Sequence, residues 1–151
     1  MSRSTQHQAQ IIAVSGGFDP VHVGHVRMIQ EAAKLGDVLV IANSDEWLVR
    51  KKGYSFMSFA ERAEILSAFK GVVKVVKATD DDGTVCQTLY DHKIDIFANG
   101  GDRKSDNVPE VAVCTKLGID MVWNIGGGKI QSSSELVDRA AEVDAIDMKH
   151  A

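Results

Sequence analysis

Residues 11–25 read IIAVSGGFDPVHVGH. The run from Ile11 to Ser15 is short, apolar and β-branched, and Gly16-Gly17 stops it, which is the pattern of a buried strand. Val23 to Leu35 follows with Val26, Ile29 and Ala33 at helical spacing and Gly36 as a C-terminal stop. The same strand-then-helix alternation continues along the chain. Strands are predicted at Asp37–Asn43, Val72–Ala78, Asp95–Asn99 and Asp120–Ile125, and helices at Ser58–Phe69, Thr84–His92, Val108–Leu117 and Ser132 to about Asp144. Arg50-Lys51-Lys52 reads as a basic loop leaving the second strand, and Asp80-Asp81-Asp82 as an acidic turn capping the helix from Thr84. Strict alternation predicts an α/β fold: a Rossmann-like three-layer sandwich of about five parallel strands with helices on both faces.

The 151 residues are expected to form a single domain, 1–151. With 44% hydrophobic and 25% charged residues the chain is ordinary globular, outside the disordered, collagenous and coiled-coil classes. Its net charge of −4 argues against a dedicated nucleic-acid binder. No signal-peptide pattern or run of membrane-spanning length occurs, and Cys86 and Cys114 form no CxxC or Cys/His cluster. A cytoplasmic protein with reduced, buried thiols, no membrane association and a homodimeric assembly is the expectation.

In a parallel sheet of this kind the ligand sits beyond the carboxyl ends of the strands. The chemistry-bearing residues fall in those loops. Gly16 and Gly17 let the backbone approach a ligand closely. His22 and His25, three apart, share one face of a helix start, and Gly24 between them adds no side chain. Two imidazoles beside a helix N-terminus suit oxyanion charge; capping or packing is the plainer role for the same pair. Ser132 with Glu135 has the form of a capping box, while Ser132, Ser133 and Ser134 also offer hydroxyls and free N–H groups to a phosphate chain. Gly126-Gly127-Gly128 presents unshielded backbone to a base, or serves as a hinge before the last helix. The basic segment Arg50-Lys51-Lys52 clamps a phosphate or is simply solvated, and Arg62 reads as a surface charge paired with Glu61 or Glu64. Asp102, after two glycines, accepts from sugar hydroxyls or is a turn residue. No side chain declares itself a metal ligand.

Gly16 to His25 together with the serine turn Gln131 to Glu135 resembles the HxGH nucleotidyltransferase superfamily, the cytidylyltransferase-like group, over Ile11 to about Arg139. Within it the chain is similar to heptose-1-phosphate adenylyltransferase domains, through Asn43-Ser44-Asp45, Lys52-Gly53, Glu61-Arg62 and Gly100-Gly101-Asp102, and to glycerol-3-phosphate cytidylyltransferases. The latter group carries an Arg-Thr pair before the serine turn. Here Gly126-Gly127-Gly128-Lys129 replaces it, with Lys129 as the substitute cation.

The resemblance implies an enzyme that joins an NMP from CTP or ATP to a small phosphorylated sugar or polyol and releases pyrophosphate, with Mg²⁺ carried by the nucleotide. It implies His22, His25 and Lys52 as catalytic. Gly16, Gly17, Phe18, His22, Gly24, His25, Gly127, Lys129, Ser132, Ser133 and Ser134 would bind the nucleotide. Asp19, Lys52, Arg62 and Asp102 would bind the substrate. The loops carrying Gly16–Phe18 and Ser132–Ser134 are expected to leave neighbouring central strands. The alternative is a non-catalytic nucleotide-binding or sensing module on the same fold. HxGH also occurs in class I aminoacyl-tRNA synthetases, but this chain is acidic, has no KMSKS-like loop and is too short for tRNA-binding domains.

Overall fold

The computed structural model describes residues 10–79, 84–100, 109–126 and 136–143. Five strands form one sheet: β1 Ile11–Gly16, β2 Asp37–Ala42, β3 Val72–Lys77, β4 Ile96–Gly100 and β5 Asp120–Ile125. Their order is β3-β2-β1-β4-β5 and every pairing is parallel. Helices α1 Val23–Ala33, α2 Asp45–Lys52, α3 Phe59–Ser67, α4 Cys86–Asp91 and α5 Glu110–Leu117 connect them, and residues 136–143 form α6. The expected α/β architecture is therefore observed.

Strand alternation divides the core in two. Ile12, Val14, Val38, Val40, Ile96 and Ala98 pack under Ile29 and Ala32 of α1 and Leu66 of α3. Ala13, Leu39, Ile41 and Phe97 pack under Leu89 of α4 and Cys114 of α5. Apolar residues on both strand faces, the pattern of Asp37–Ala42, are what a sheet covered on both sides requires. The order runs outward from β1 to β3 on one side and from β4 to β5 on the other. The switch point lies between β1 and β4, and their carboxyl ends frame the crevice where ligands bind in such sheets.

Three expectations are corrected. The basic segment is not a loop: Arg50, Lys51 and Lys52 form the last turn of α2, which Ser44 caps at its start and Gly53 ends in a left-handed conformation. Cations at a helix C-terminus complement its dipole, as Asp45 and Glu46 do at the other end. Secondly, α4 begins at Cys86, and the Val85 N–H just before it donates to the buried Glu110 carboxylate at 3.0 Å; Asp80–Asp82 lie outside the described residues. Thirdly, β5 is an edge strand separated from β1 by β4, so the loops after β1 and β5 do not leave neighbouring strands. The exit of β5 lies against α1, where the Gly126 N–H donates to Glu31 at 3.1 Å. Neither cysteine is in a disulfide; Cys114 is buried and Cys86 half-buried. Burial, then Glu110 and Cys86, push the Cys114 thiol up to about 11.

Candidate active site

The turn after β1 is built on Phe18, the one described non-glycine residue with positive φ, at +54°. Such a conformation is costly for a side chain with a Cβ and is held only by its surroundings. Here the Phe18 ring is buried against the His25 imidazole, centroids 4.7 Å apart. A ligand at this turn would meet only the backbone of Phe18, since its ring is committed to packing.

The chain then enters α1 through a cap made of two histidines. His22 is the N-cap, extended at φ −143°, ψ 179°, and its Nδ1 accepts from the Gly24 N–H at 3.0 Å. The His22 backbone N–H in turn donates to His25 Nδ1 at 3.1 Å. This is a capping box with imidazoles in place of hydroxyl and carboxylate. Capping, the plain role expected of the pair, is therefore present, and it fixes the orientation of both rings. Because each Nδ1 accepts a backbone N–H, it carries no proton, so Nε2 is the N–H donor of each ring. The rings stack with centroids 3.9 Å apart. Burial, and secondarily the neighbouring His22, lower the His25 pKa from 6.5 to about 3. His25 is a neutral donor throughout the physiological range.

Lys52, in the last turn of α2, reaches back to this turn. Its Nζ donates to the Asp19 carbonyl at 3.0 Å, lies 3.4 Å from the Asp19 carboxylate and sits over the Tyr54 ring at 4.8 Å. With 20% of its side chain exposed it keeps a face toward solvent beside the glycine turn. The structure thus brings Gly16, Gly17, Phe18, His22, Gly24, His25 and Lys52 to the carboxyl end of β1.

Two expected substrate ligands, Asp19 and Arg62, have their polar groups engaged within the protein. Asp19 is buried, and its carboxylate accepts the backbone N–H groups of Phe56 and Met57, fixing the 54–57 loop to the turn after β1. Arg62 has no exposed surface at all. Its guanidinium donates to the carbonyls of Met57 (3.0 Å), Gly17 (2.8 Å) and Asn43 (2.8 Å) and to the Asp45 carboxylate (2.7 Å). It pairs with neither Glu61 nor Glu64 but ties together the ends of β1 and β2, the start of α2 and the 54–57 loop. Burial acts to raise the Asp45 carboxyl, yet hydrogen bonds from the Phe59 backbone, Arg62 and Ser55 hold it below the usual aspartate value. Gly127, Lys129, Ser132, Ser133, Ser134 and Asp102 lie outside the described residues.

Sequence reasoning missed Asn99, at the end of β4. It is 2% exposed, and neither its carbonyl oxygen nor its amide nitrogen has a hydrogen-bond partner among the described residues. Its only sequence signal is a polar residue closing an apolar strand. For a metal, no group of three or more His, Cys, Asp or Glu among the described residues is arranged to hold one. The Asp19 carboxylate, next to the glycine turn, is already committed to two N–H groups and Lys52. No described helix is long and apolar enough to cross a membrane.

A parallel sheet with its switch point between β1 and β4, and a histidine-capped helix opening onto it, define an α/β domain whose carboxyl edge is suited to an anionic ligand. The chain belongs to the cytidylyltransferase-like family, a family of enzymes, whose sequence pattern matches residues 13–140. It is similar to the bifunctional protein HldE of Syntrophotalea carbinolica, 38% identical over 78% of this chain and 22% of that protein. It is also similar to the FAD synthase of Archaeoglobus profundus, 34% identical over 63% of this chain and 60% of that one. The chain spans about a quarter of the length of the HldE proteins it matches. Among solved structures, the lipopolysaccharide core biosynthesis protein of Thermoplasma volcanium superposes with a TM-score of 0.67 at 25% identity, covering 80% of this chain and 99% of that one.

Proposed function

We propose that this domain transfers a nucleoside monophosphate from ATP or CTP to the phosphate of a small sugar or polyol phosphate and releases pyrophosphate. The observation that carries this reading is the histidine pair whose caps lock both rings as Nε2–H donors at the N-terminus of α1. An acceptor phosphate oxygen attacks the α-phosphorus; the new P–O bond forms as the bond from that phosphorus to the bridging α–β oxygen breaks, and pyrophosphate leaves. The attacking oxygen is already anionic, so no general base is required. The task left to the protein is to hold both phosphates in line and to meet charge on the α-phosphoryl oxygens.

The imidazole Nε2–H groups and the positive end of α1 are suited to the second role, and Lys52 supplies the local positive charge. Ser132–Ser134 and Lys129 complete the phosphate cradle in this reading, and Asp102 a polyol contact. Mg²⁺ enters as part of the nucleotide substrate. The name of the FAD synthase relative agrees with nucleotidyl transfer and leaves both base and acceptor open. The assembly is proposed to be a homodimer working free of membranes and nucleic acid. The test is pyrophosphate release with ATP or CTP and Mg²⁺ against a heptose 1-phosphate and glycerol 3-phosphate. Acceptor-dependent release supports the reading; nucleotide binding with no release for any pair would favour the sensing module.

A further inference from the structure

A buried carboxamide with no partner is expensive: each unsatisfied polar group forgoes a hydrogen bond that water would have given it. Asn99 is that case, and it stands at the switch point itself. The β1–β4 pairing matches Ile12 with Ile96 and Ala13 with Phe97, so the same register brings Asn99 level with Ser15 at the carboxyl edge. Ile96 and Ala98 belong to the core under α1 and α3, and Phe97 to the core under α4 and α5. Alternation therefore sets Asn99 on the α4–α5 face, opposite to α1. Beside it the β4–β5 ladder slips: Ala98 pairs with Val122 but Gly100 with Ile125, an irregularity of the kind found next to binding sites.

We infer that Asn99 is a specificity residue for the acceptor, its carboxamide giving and taking hydrogen bonds with the hydroxyl groups of a sugar or polyol phosphate. The inference rests on the transfer reaction proposed above and names a reader for its second substrate. The group is uncharged, which suits hydroxyls rather than phosphate. Two ligands would carry such hydroxyls, the acceptor and the ribose of the nucleotide. The geometry favours the acceptor. The histidine pair and the exit of β5, whose Gly126 lies against Met28 and Glu31, are both on the α1 side. A nucleoside that meets Gly126 therefore occupies that side. Asn99 lies across the sheet edge from α1, on the side left for the second substrate.

The test follows the Asn99 side-chain amide by ¹⁵N–¹H NMR in the wild-type protein, with the variant Asn99→Ser alongside to assign the signal. Probes are MgATP, MgCTP, glycerol 3-phosphate, ribose 5-phosphate and a heptose 1-phosphate, each added alone. The expected result is a shift of the Asn99 amide pair with at least one of the three acceptor phosphates and none with either nucleotide. In turnover, Asn99→Ala should raise the acceptor KM by tenfold or more and leave the nucleotide KM within twofold. An amide that responds to nucleotide alone, or to no probe, overturns the inference, and the NMR arm decides even if the variants fail to fold. An unresponsive amide in a protein that still transfers nucleotide removes this inference alone; a responsive amide without transfer by any pair removes the reaction and keeps the polyol site.

Discussion

The Nδ1 atom of His25 accepts the backbone N–H of His22, 3.1 Å away, while the two rings stack at 3.9 Å. Ring orientation and helix capping are therefore one arrangement. A proton on His25 Nδ1 would set N–H against N–H and break the cap, so the depressed pKa has a direct geometric counterpart. Folded His25 stays neutral down to about 3, whereas in the unfolded chain it takes a proton near 6.5. Between those values the unfolded state binds more protons, so His25 contributes a loss of stability as pH falls from 6.5 toward 3. His25→Gln keeps an acceptor at this capping position and cannot be protonated. Its melting temperature should fall less steeply over that acidic range than the wild type's. Parallel curves for the two proteins would show that His25 carries no such linkage.

For catalysis the informative changes are His22→Ala and His25→Ala. Each removes a donor that acts mainly in the transition state, so kcat should drop by roughly 10²-fold or more with a smaller change in nucleotide affinity. His22→Ala also removes an N-cap and should lower stability by about 1 kcal/mol. A variant that keeps wild-type kcat would remove that histidine from the chemistry.

Arg62 is expected to matter through structure. Arg62→Met leaves the carbonyls of Gly17, Asn43 and Met57 without their donor, and denaturant unfolding should show a loss of about 3 kcal/mol or more. Arg62→Lys should recover little, since one ammonium cannot replace a planar fork aimed at separate loops. Asp45 is 41% exposed, so Asp45→Asn should cost about 1 kcal/mol or less. Equal losses for Arg62→Met and Asp45→Asn would contradict this division.

Lys52 separates from Arg62 in the same assays. It sits at the rim, held by Asp19 yet partly exposed, so Lys52→Met should change stability by only about 1 kcal/mol. In the proposed reaction, loss of its charge from the phosphate site should lower kcat/KM at least ~10-fold. A kcat/KM near wild type would assign Lys52 to loop anchoring only.

The alternation of apolar strands and periodic helices was enough to read the parallel sheet from the sequence, because burial on both faces leaves a run such as DVLVIA no other good environment. The helix α2 was not legible by periodicity: of its eight residues only Leu48 is buried. Its signals were chemical instead, Ser44 before Asp45-Glu46 and three cations before Gly53, and these cap and charge cues define its ends. The HxGH face was legible because both histidines are local to one turn. The partners of Arg62 and Asp19 were not, since the carbonyls and N–H groups around them come from segments distant in sequence. Asn99 was hidden for the same reason: only the assembled sheet shows that its amide is buried at the switch point.

Gly126 offers a test of how the exit of β5 is held against α1. Its φ is +83°, and a Cβ there would lie 3.1 Å from the Met28 Cα, a backbone atom that cannot step aside. Gly118, at the end of α5, has a similar φ of +71° with nothing within 4 Å of a Cβ. Gly118→Ala therefore isolates the conformational cost, about 1 kcal/mol. Gly126→Ala adds the clash with α1 and should lose ~2 kcal/mol or more in denaturant unfolding. If the turn after β5 holds the nucleoside, the displaced exit should also raise the nucleotide KM severalfold in Gly126→Ala and leave it unchanged in Gly118→Ala. Equal stability losses for the two variants would mean that the approach of Gly126 to Met28 does not constrain the turn, and an unchanged nucleotide KM would separate this turn from the nucleotide.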